Sequence, residues 1–92
     1  GNTDWVVRSN VEAGEGFADI IVEPEDPDAG IILELKYSKE ATGLEKACKK
    51  AIQQIKDRRY SEYLKNDGRH NIILYGIAFY KKRCKAIVEK MI

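Results

Sequence analysis

The 92-residue chain is poor in the residues that form covalent or metal-bound scaffolds. Its two cysteines are too few for a disulfide framework or for a zinc site made of cysteines, and this usage is typical of a reducing cytosol. The single histidine, His70, has no second histidine to share a metal, so we interpret it as the start of a strand. No apolar run reaches about 18 residues, and no secretory signal opens the chain. We therefore expect a cytoplasmic protein without a membrane segment.

The composition excludes disorder as the default and reveals an uneven distribution of charge. Hydrophobic residues make up 43% of the chain and charged residues 34%, as in globular domains, and the length predicts one domain. The net charge of +1 conceals nine acids and two bases in residues 1–37, which give −7. Residues 38–69 and residues 70–92 each carry +4. This polarity indicates that the two ends of the chain have different roles.

The residue patterns predict an α/β domain in which three strands, one long helix and two further strands follow each other. The predicted strands span residues 4–9, 17–23, 31–37, 71–80 and 84–91, and the helix spans residues 39–66. The fourth strand is apolar nearly throughout, so we expect it to be buried on both faces. The alternation of the fifth is typical of a sheet edge. Among the tyrosines, Tyr60 and Tyr63 are predicted to flank the helix, without a special role.

The second and third strands can be aligned by their apolar residues. If the loop between them is centred on residues 26 and 27, one face of the hairpin becomes consistently apolar, which supports this register. The apolar pairs are then Ala18 with Leu35, Ile20 with Leu33, and Val22 with Ile31.

On the other face, this register places Asp19 directly opposite Glu34, with Lys36 two residues farther along. Directly opposed residues have Cβ atoms about 4.5–5.5 Å apart, so the two carboxylates repel each other unless a cation offsets them. Oxygen ligands of this kind favour Mg²⁺ or Mn²⁺ over zinc. Two acids and a lysine beside a metal form a workable minimal site for cutting a phosphodiester. The alternative is a structural role, in which Lys36 simply neutralises two acids on a solvated face.

These residues also carry a resemblance to a known family. The pattern consists of an Asp in one strand, a hairpin turn and Glu-x-Lys in the next strand. Here the Asp is Asp19, within residues 18–22, and the second part is Glu34-Leu35-Lys36, within residues 31–36. This pattern resembles the PD-(D/E)XK nuclease superfamily. Residues 8–19, 51–60 and 72–79 resemble one bacterial family of that superfamily, in which the nuclease-like domain lies C-terminal to an AAA-ATPase-like domain.

The resemblance implies a role for each residue of the motif. Asp19 and Glu34 would be metal ligands, the peptide carbonyl of Leu35 a further ligand, and Lys36 the catalytic lysine. The fold implied is a restriction-endonuclease-like mixed sheet. The implied function is a nuclease dependent on Mg²⁺ or Mn²⁺ that acts on nucleic acid, with DNA preferred over RNA as the expected substrate.

The family also has a glutamine on its helix, and this residue falls on Gln54. Helical geometry supports Gln54 over Gln53, because Gln54 borders the apolar stripe of the helix whereas Gln53 points away from it. Phe17 departs from the family, whose members often have an arginine at this position.

A second departure concerns the first helix of the superfamily core, which often donates an acid to the metal site. The chain starts after the place of that helix, so we expect residues 1–92 to be one nuclease-like domain from the C-terminal part of a longer protein. We also expect an uncovered apolar sheet face, which would favour a homodimer. The alternative function is a non-catalytic binding or assembly module of a larger ATPase protein.

Several other charged residues are weaker candidates. Glu12 and Glu15 are either additional metal ligands or solvated loop acids, and Glu23 lies too far along its strand to join Asp19. Arg58 falls within the apolar arc of the helix, where it either approaches the site or extends to solvent. The basic residues form either a track for nucleic-acid phosphates or a solvated surface. They are Lys46, Lys49, Lys50, Lys56, Arg58, Arg59, Lys65, Lys81, Lys82, Arg83 and Lys85.

Overall fold

Five strands form one mixed sheet in which the spatial order follows the sequence. The computed structural model describes residues 4–91. The third and fourth strands of the chain are parallel neighbours, and the other neighbours are antiparallel. The predicted α/β class and the order of strands and helix are confirmed. The strands are β1 (Val6–Ala13), β2 (Gly16–Glu23), β3 (Ala29–Tyr37), β4 (Asn71–Tyr80) and β5 (Arg83–Lys90).

The crossover between the parallel strands is helical, as parallel pairs require. It contains a 3₁₀ turn (Ala41–Gly43), the helix α1 (Leu44–Asp57) and the short helix α2 (Glu62–Asn66). The prediction of one continuous helix over residues 39–66 is therefore wrong. Within residues 4–91, none of the helices is both long enough and apolar enough to cross a membrane.

Helix α1 ends in a Schellman motif that the sequence does not mark with a glycine. Arg59 adopts a left-handed φ of 54°. The Arg59 amide donates to the Lys56 carbonyl and the Tyr60 amide to the Ile55 carbonyl, both at 3.1 Å, which is the bonding pattern of this motif. Glycine usually occupies the left-handed position, so the end of the helix was not predictable from residue type. The turn directs Tyr60 inward, where it is 2% exposed.

Helix α1 covers one face of the sheet. Burial alternates along β3 and β4, and the buried positions are those that face the helix. Cys48 is buried there, as the helical spacing predicts, and its thiol donates to the Lys85 carbonyl at 3.2 Å. The largest fully buried side chains of the core are Ile21, Ile32, Ile55, Leu64, Ile72 and Leu74.

The opposite face is apolar and half-exposed, and no element within residues 4–91 covers it. The uncovered face was expected, but the prediction that β4 is buried on both faces is wrong. An apolar strand is compatible with two covered faces, but its sequence does not specify which layers are present. The half-exposed side chains of β3 and β4 on this face are Ile31, Leu33, Leu35, Ile73, Tyr75, Ile77 and Phe79.

We expect Gly76→Ala to destabilise the domain by about 3 kcal/mol, because a Cβ at this position overpacks the contact between β4 and α1. It would lie 2.2 Å from the backbone carbonyl oxygen of Cys48, which moves only if the helix moves. The control is Gly68→Ala, where φ is +79° and no atom lies within 4 Å of the added carbon. This control loses about 1 kcal/mol through backbone conformation alone. If urea unfolding shows that the two variants lose the same free energy of unfolding, the tight contact at Gly76 is contradicted.

Candidate functional site

The strands β2 and β3 separate at the two acidic residues. Their ladder has the predicted register but ends at the pair Ile20 and Leu33, so Asp19 and Glu34 come directly beyond it. The predicted pair of Ala18 with Leu35 does not form; Ala18 is instead fully buried in the core. The paired residues of the ladder are Ile20 with Leu33, Ile21 with Ile32, and Val22 with Ile31.

Beyond the ladder, each carboxylate binds a backbone amide of the other strand. The Asp19 amide donates to Glu34 Oε1 at 3.2 Å, and the Leu35 amide donates to Asp19 Oδ2 at 2.8 Å. These bonds replace the backbone pairing that the separation removes, so the amides of Asp19 and Leu35 both have an acceptor. The two carboxyl groups are thereby held together across the gap between the strands.

Gln54 connects the acids to the lysine. Its Nε2 donates to Glu34 Oε2, and its Oε1 accepts from Lys36 Nζ at 2.5 Å. An ammonium group only donates and a carboxylate only accepts, so these two partners fix the orientation of the amide. Gln53 is exposed and donates to Asp57, which agrees with the choice of Gln54 from helical geometry.

Tyr60 belongs to the same network, although the sequence pattern assigned it no role. Gln54 Nε2 donates to its hydroxyl oxygen at 3.2 Å. In a continuous helix Tyr60 would lie six residues after Gln54 and on another side, whereas the Schellman turn brings it back beneath the glutamine. No residue type in the sequence signals that turn, so the contact was not predictable from spacing.

The other acids considered as candidates are either paired with arginines or exposed. Glu23 forms an ion pair with Arg8 at 3.1 Å, and Glu15 pairs with Arg59 at 3.6 Å, while Glu12 is exposed. Across the described part of the chain, no group of three or more acids, histidines or cysteines is arranged to hold a metal ion. The side-chain ligands available at the site are therefore two carboxylates.

The structure places the basic residues of the predicted track in different surroundings, and only some of them lie beside the site. Arg58 is exposed and donates to the Glu15 carbonyl at 3.5 Å, so it does not approach the site. Lys56 forms an ion pair with Glu89, and Lys81 lies over the ring of Tyr80. The basic residues of the predicted track that do lie beside the site are Lys46 and Lys50, in a cleft of about 650 Å³ that Lys36, Lys39 and Gln54 also line.

Burial raises the pKa of Glu34 to about 7, and the nearby Asp19 carboxylate adds to the rise. The Asp19 amide and the Lys36 ammonium act in the opposite direction. Glu34 is only 2% exposed, so little water solvates its charge. The site therefore carries a net negative charge when both acids are ionised, because Lys36 offsets only one of them.

The donor set fits a hard divalent cation. Mg²⁺ is commonly held by one or two carboxylates, with the remaining positions taken by water and phosphate oxygens. The Leu35 amide points toward Asp19, and the carbonyl of a strand residue points to the same side of the strand as its amide. Its oxygen therefore lies at the edge of β3 where the ladder has already ended.

Comparison with known proteins identifies a family. A family model of the PD-(D/E)XK nuclease superfamily matches residues 2–89. No curated protein and no solved structure matches the chain. The matched range includes all residues of the network described above.

We expect the domain without metal to lose stability as the pH rises from about 4.5 to about 7. In this range the unfolded chain has released the Glu34 proton while the folded chain still retains it, so unfolding becomes more favourable with increasing pH. Glu34→Gln, which does not titrate, should abolish this part of the pH dependence. Melting temperatures in EDTA at pH 5 and pH 8 measure it. If the melting temperatures of the wild type and of Glu34→Gln change equally between pH 5 and pH 8, the raised pKa of Glu34 is contradicted.

Proposed function

Since the chain belongs to the PD-(D/E)XK nuclease superfamily, we propose that it is a metal-dependent nuclease that hydrolyses phosphodiester bonds of nucleic acid. The observation that supports this function is the joint position of Asp19, Glu34 and Lys36 at the end of the β2–β3 ladder. The superfamily as a whole implies nucleic-acid binding and generally a divalent metal.

In the proposed site, Asp19, Glu34 and the Leu35 carbonyl would hold Mg²⁺ or Mn²⁺. A bound divalent cation supplies an acidified water molecule and shields the charge that develops on the phosphate. Lys36 has three N–H donors, of which Gln54 takes one. The others are available to orient water or to stabilise an anionic phosphate oxygen.

Gln54 has a positioning role in this proposal. It holds the ammonium group of Lys36 through its oxygen and the Glu34 carboxylate through its nitrogen. The two catalytic groups therefore keep a fixed separation. Tyr60 supports the same amide from the core side.

Finer features of the proposal rest on the resemblance of residues 8–19, 51–60 and 72–79 to one bacterial family. They are a bacterial, cytoplasmic parent protein with an AAA-ATPase-like domain N-terminal to this nuclease-like domain, and DNA as the substrate. The half-exposed apolar face of β3 and β4 supports a homodimer as the assembly.

One observation favours a second candidate, a non-catalytic binding or assembly module. Lys36, Gln54 and the two acids each have a hydrogen-bond partner within the protein, and in the part of the chain described no group of three or more acids, histidines or cysteines is arranged to hold a metal ion. Such a network stabilises a fold without a metal.

We expect Asp19→Asn to abolish Mg²⁺ or Mn²⁺ binding in the full-length protein, because it removes one of two carboxylates. Lys36→Ala should retain metal binding but lose cleavage by at least about a hundredfold, since it removes charge stabilisation alone. Calorimetry measures binding and a nucleic-acid cleavage assay measures activity. The matched control is Glu12→Gln, an exposed acid on β1, which should change neither.

Two results would contradict the nuclease. One is unchanged cleavage in Asp19→Asn or Lys36→Ala. The other is an absence of metal binding in the full-length wild-type protein, which would favour the assembly module.

A further inference from the structure

Asn10 has an unusual backbone conformation for a residue of a strand. Its φ is +52°, and of the residues that the structure describes it alone combines a strand position with a left-handed φ. The pairs of β1 with β2 on either side of it keep one register, which places Asn10 directly opposite Asp19. Left-handed residues other than glycine are uncommon, and they persist where the surrounding structure requires them. The outlier therefore lies at the level of one of the two acids.

Strand β2 changes face at this level. In a regular strand, residues an even number of positions apart lie on the same face of the sheet. Ile21 is fully buried in the core under α1, so regular alternation would place Ala18 on the opposite, uncovered face. Ala18 is instead fully buried in the same core, whereas Ile20, two residues later, is half-exposed. The alternation of β2 therefore fails between Ala18 and Ile21.

Strand β1 changes face at the same level. Arg8 points toward the helices, because its ion-pair partner Glu23 lines a cavity together with Tyr63 of α2. Three residues later, Val11 packs against the core under α1, although regular alternation from Arg8 would place it on the opposite face. Since the alternation fails in both strands beside Asn10, the β1–β2 hairpin bends there.

The bend brings the end of the hairpin onto the C-terminal end of α1. The Glu15 amide donates to the Arg58 carbonyl at 2.8 Å, and a Cβ on Gly16 would lie 3.3 Å from the Tyr60 hydroxyl. Helix α1 lies on one face of the sheet, so these contacts require the hairpin to leave the plane of the sheet.

The same bend accounts for the end of the β2–β3 ladder. The ladder ends at Ile20 and Leu33, directly before the level of Asn10. The pair of Ala18 with Leu35, which apolar alternation predicts, does not form. A strand that turns toward α1 also turns away from β3, and the two acids then accept backbone amides across the gap.

We propose that Asn10 is a positioning residue, whose left-handed backbone bends the β1–β2 hairpin and thereby separates the strands at the two acids. Asparagine adopts this conformation more readily than most residues, whereas a β-branched residue with such a φ is a marked outlier. The side chain of Asn10 is exposed, so it can be replaced without changing the core. The use of the gap as a metal site rests on the proposed function, whereas the bend does not.

Hydrogen exchange tests the bend in the full-length protein without metal. Asn10→Val should accelerate amide exchange in residues 10–19 at least about tenfold, because valine favours an extended strand and the hairpin end then leaves α1 more often. Asn10→Gly should keep the wild-type rate, since glycine accepts a left-handed φ without steric cost. Asn10→Ala should fall between them, and it carries the comparison with glycine if the valine variant does not fold.

The matched control is Ser9→Val. Ser9 is the exposed neighbour of Asn10 on β1 and has no left-handed φ, so valine should leave the exchange of the hairpin unchanged there. Residues 71–80 of β4 are the internal reference, because β4 does not contact the hairpin strands in the ladder.

Three results would overturn the proposal. The first is unchanged exchange of residues 10–19 in Asn10→Val. The second is equal acceleration of residues 10–19 and residues 71–80, which is a loss of overall stability. The third is equal acceleration in Asn10→Gly and Asn10→Val, which would assign the effect to the lost side chain instead of the backbone.

Exchange in Mn²⁺ separates this proposal from the proposed function. If the bent hairpin forms the metal site, Mn²⁺ at about 100 times its dissociation constant should slow exchange of residues 10–19 about a hundredfold in the wild type. Mn²⁺ binding by calorimetry without this protection would overturn the role of the bend in the site. A wild type that binds no Mn²⁺ would refute the nuclease, and the exchange without metal would still decide the bend.

Discussion

The separation of β2 and β3 at Asp19 and Glu34 is the constraint on which the site depends. At this point the backbone hydrogen bonds between the strands end, and two backbone amides donate to the two carboxylates instead. The amides that would otherwise pair the strands therefore hold two like charges close together. A buried carboxylate is costly unless donors surround it, and here the donors come from the opposite strand and from α1. The same exchange leaves the edge of β3 beside Leu35 without a backbone partner from β2.

Helix α1 supplies Gln54 to the site, and its position is fixed by contacts between its C-terminal end and the β1–β2 hairpin. The Glu15 amide donates to the Arg58 carbonyl at 2.8 Å, and Gly14 approaches that carbonyl so closely that any Cβ would lie 2.2 Å from it. The hairpin turn that precedes Asp19 is thereby fixed to the turn that places Tyr60 under Gln54. Both acids and the glutamine are thus positioned by one connected set of backbone contacts.

Apolar alternation in the hairpin predicted the register of the observed ladder, including the pairs Ile20 with Leu33 and Val22 with Ile31, although the pair of Ala18 with Leu35 does not form. Helical spacing predicted that Gln54 rather than Gln53 faces the sheet. Both depend on one residue type repeating along one element. The contact of Tyr60 was not predictable, since it depends on a left-handed Arg59 that no glycine marks. The apolar pattern of β4 wrongly predicted two buried faces, because an apolar strand does not specify how many layers cover it, and the uncovered face was expected only from the resemblance. Local periodicity therefore predicted the acids, but not the turn that completes their network.

The distribution of charge connects the site with the cleft. When both acids are ionised, Asp19, Glu34 and Lys36 together carry −1, which repels a phosphodiester at the place where it would react. A proton on Glu34 reduces that charge to zero, and burial favours this proton by raising the pKa to about 7. In the proposed function, a divalent cation held by Asp19 and Glu34 would change the charge of the site to +1. The site would then have the same sign of charge as Lys46 and Lys50, which line the adjoining cleft, and the acids would no longer oppose an anionic substrate.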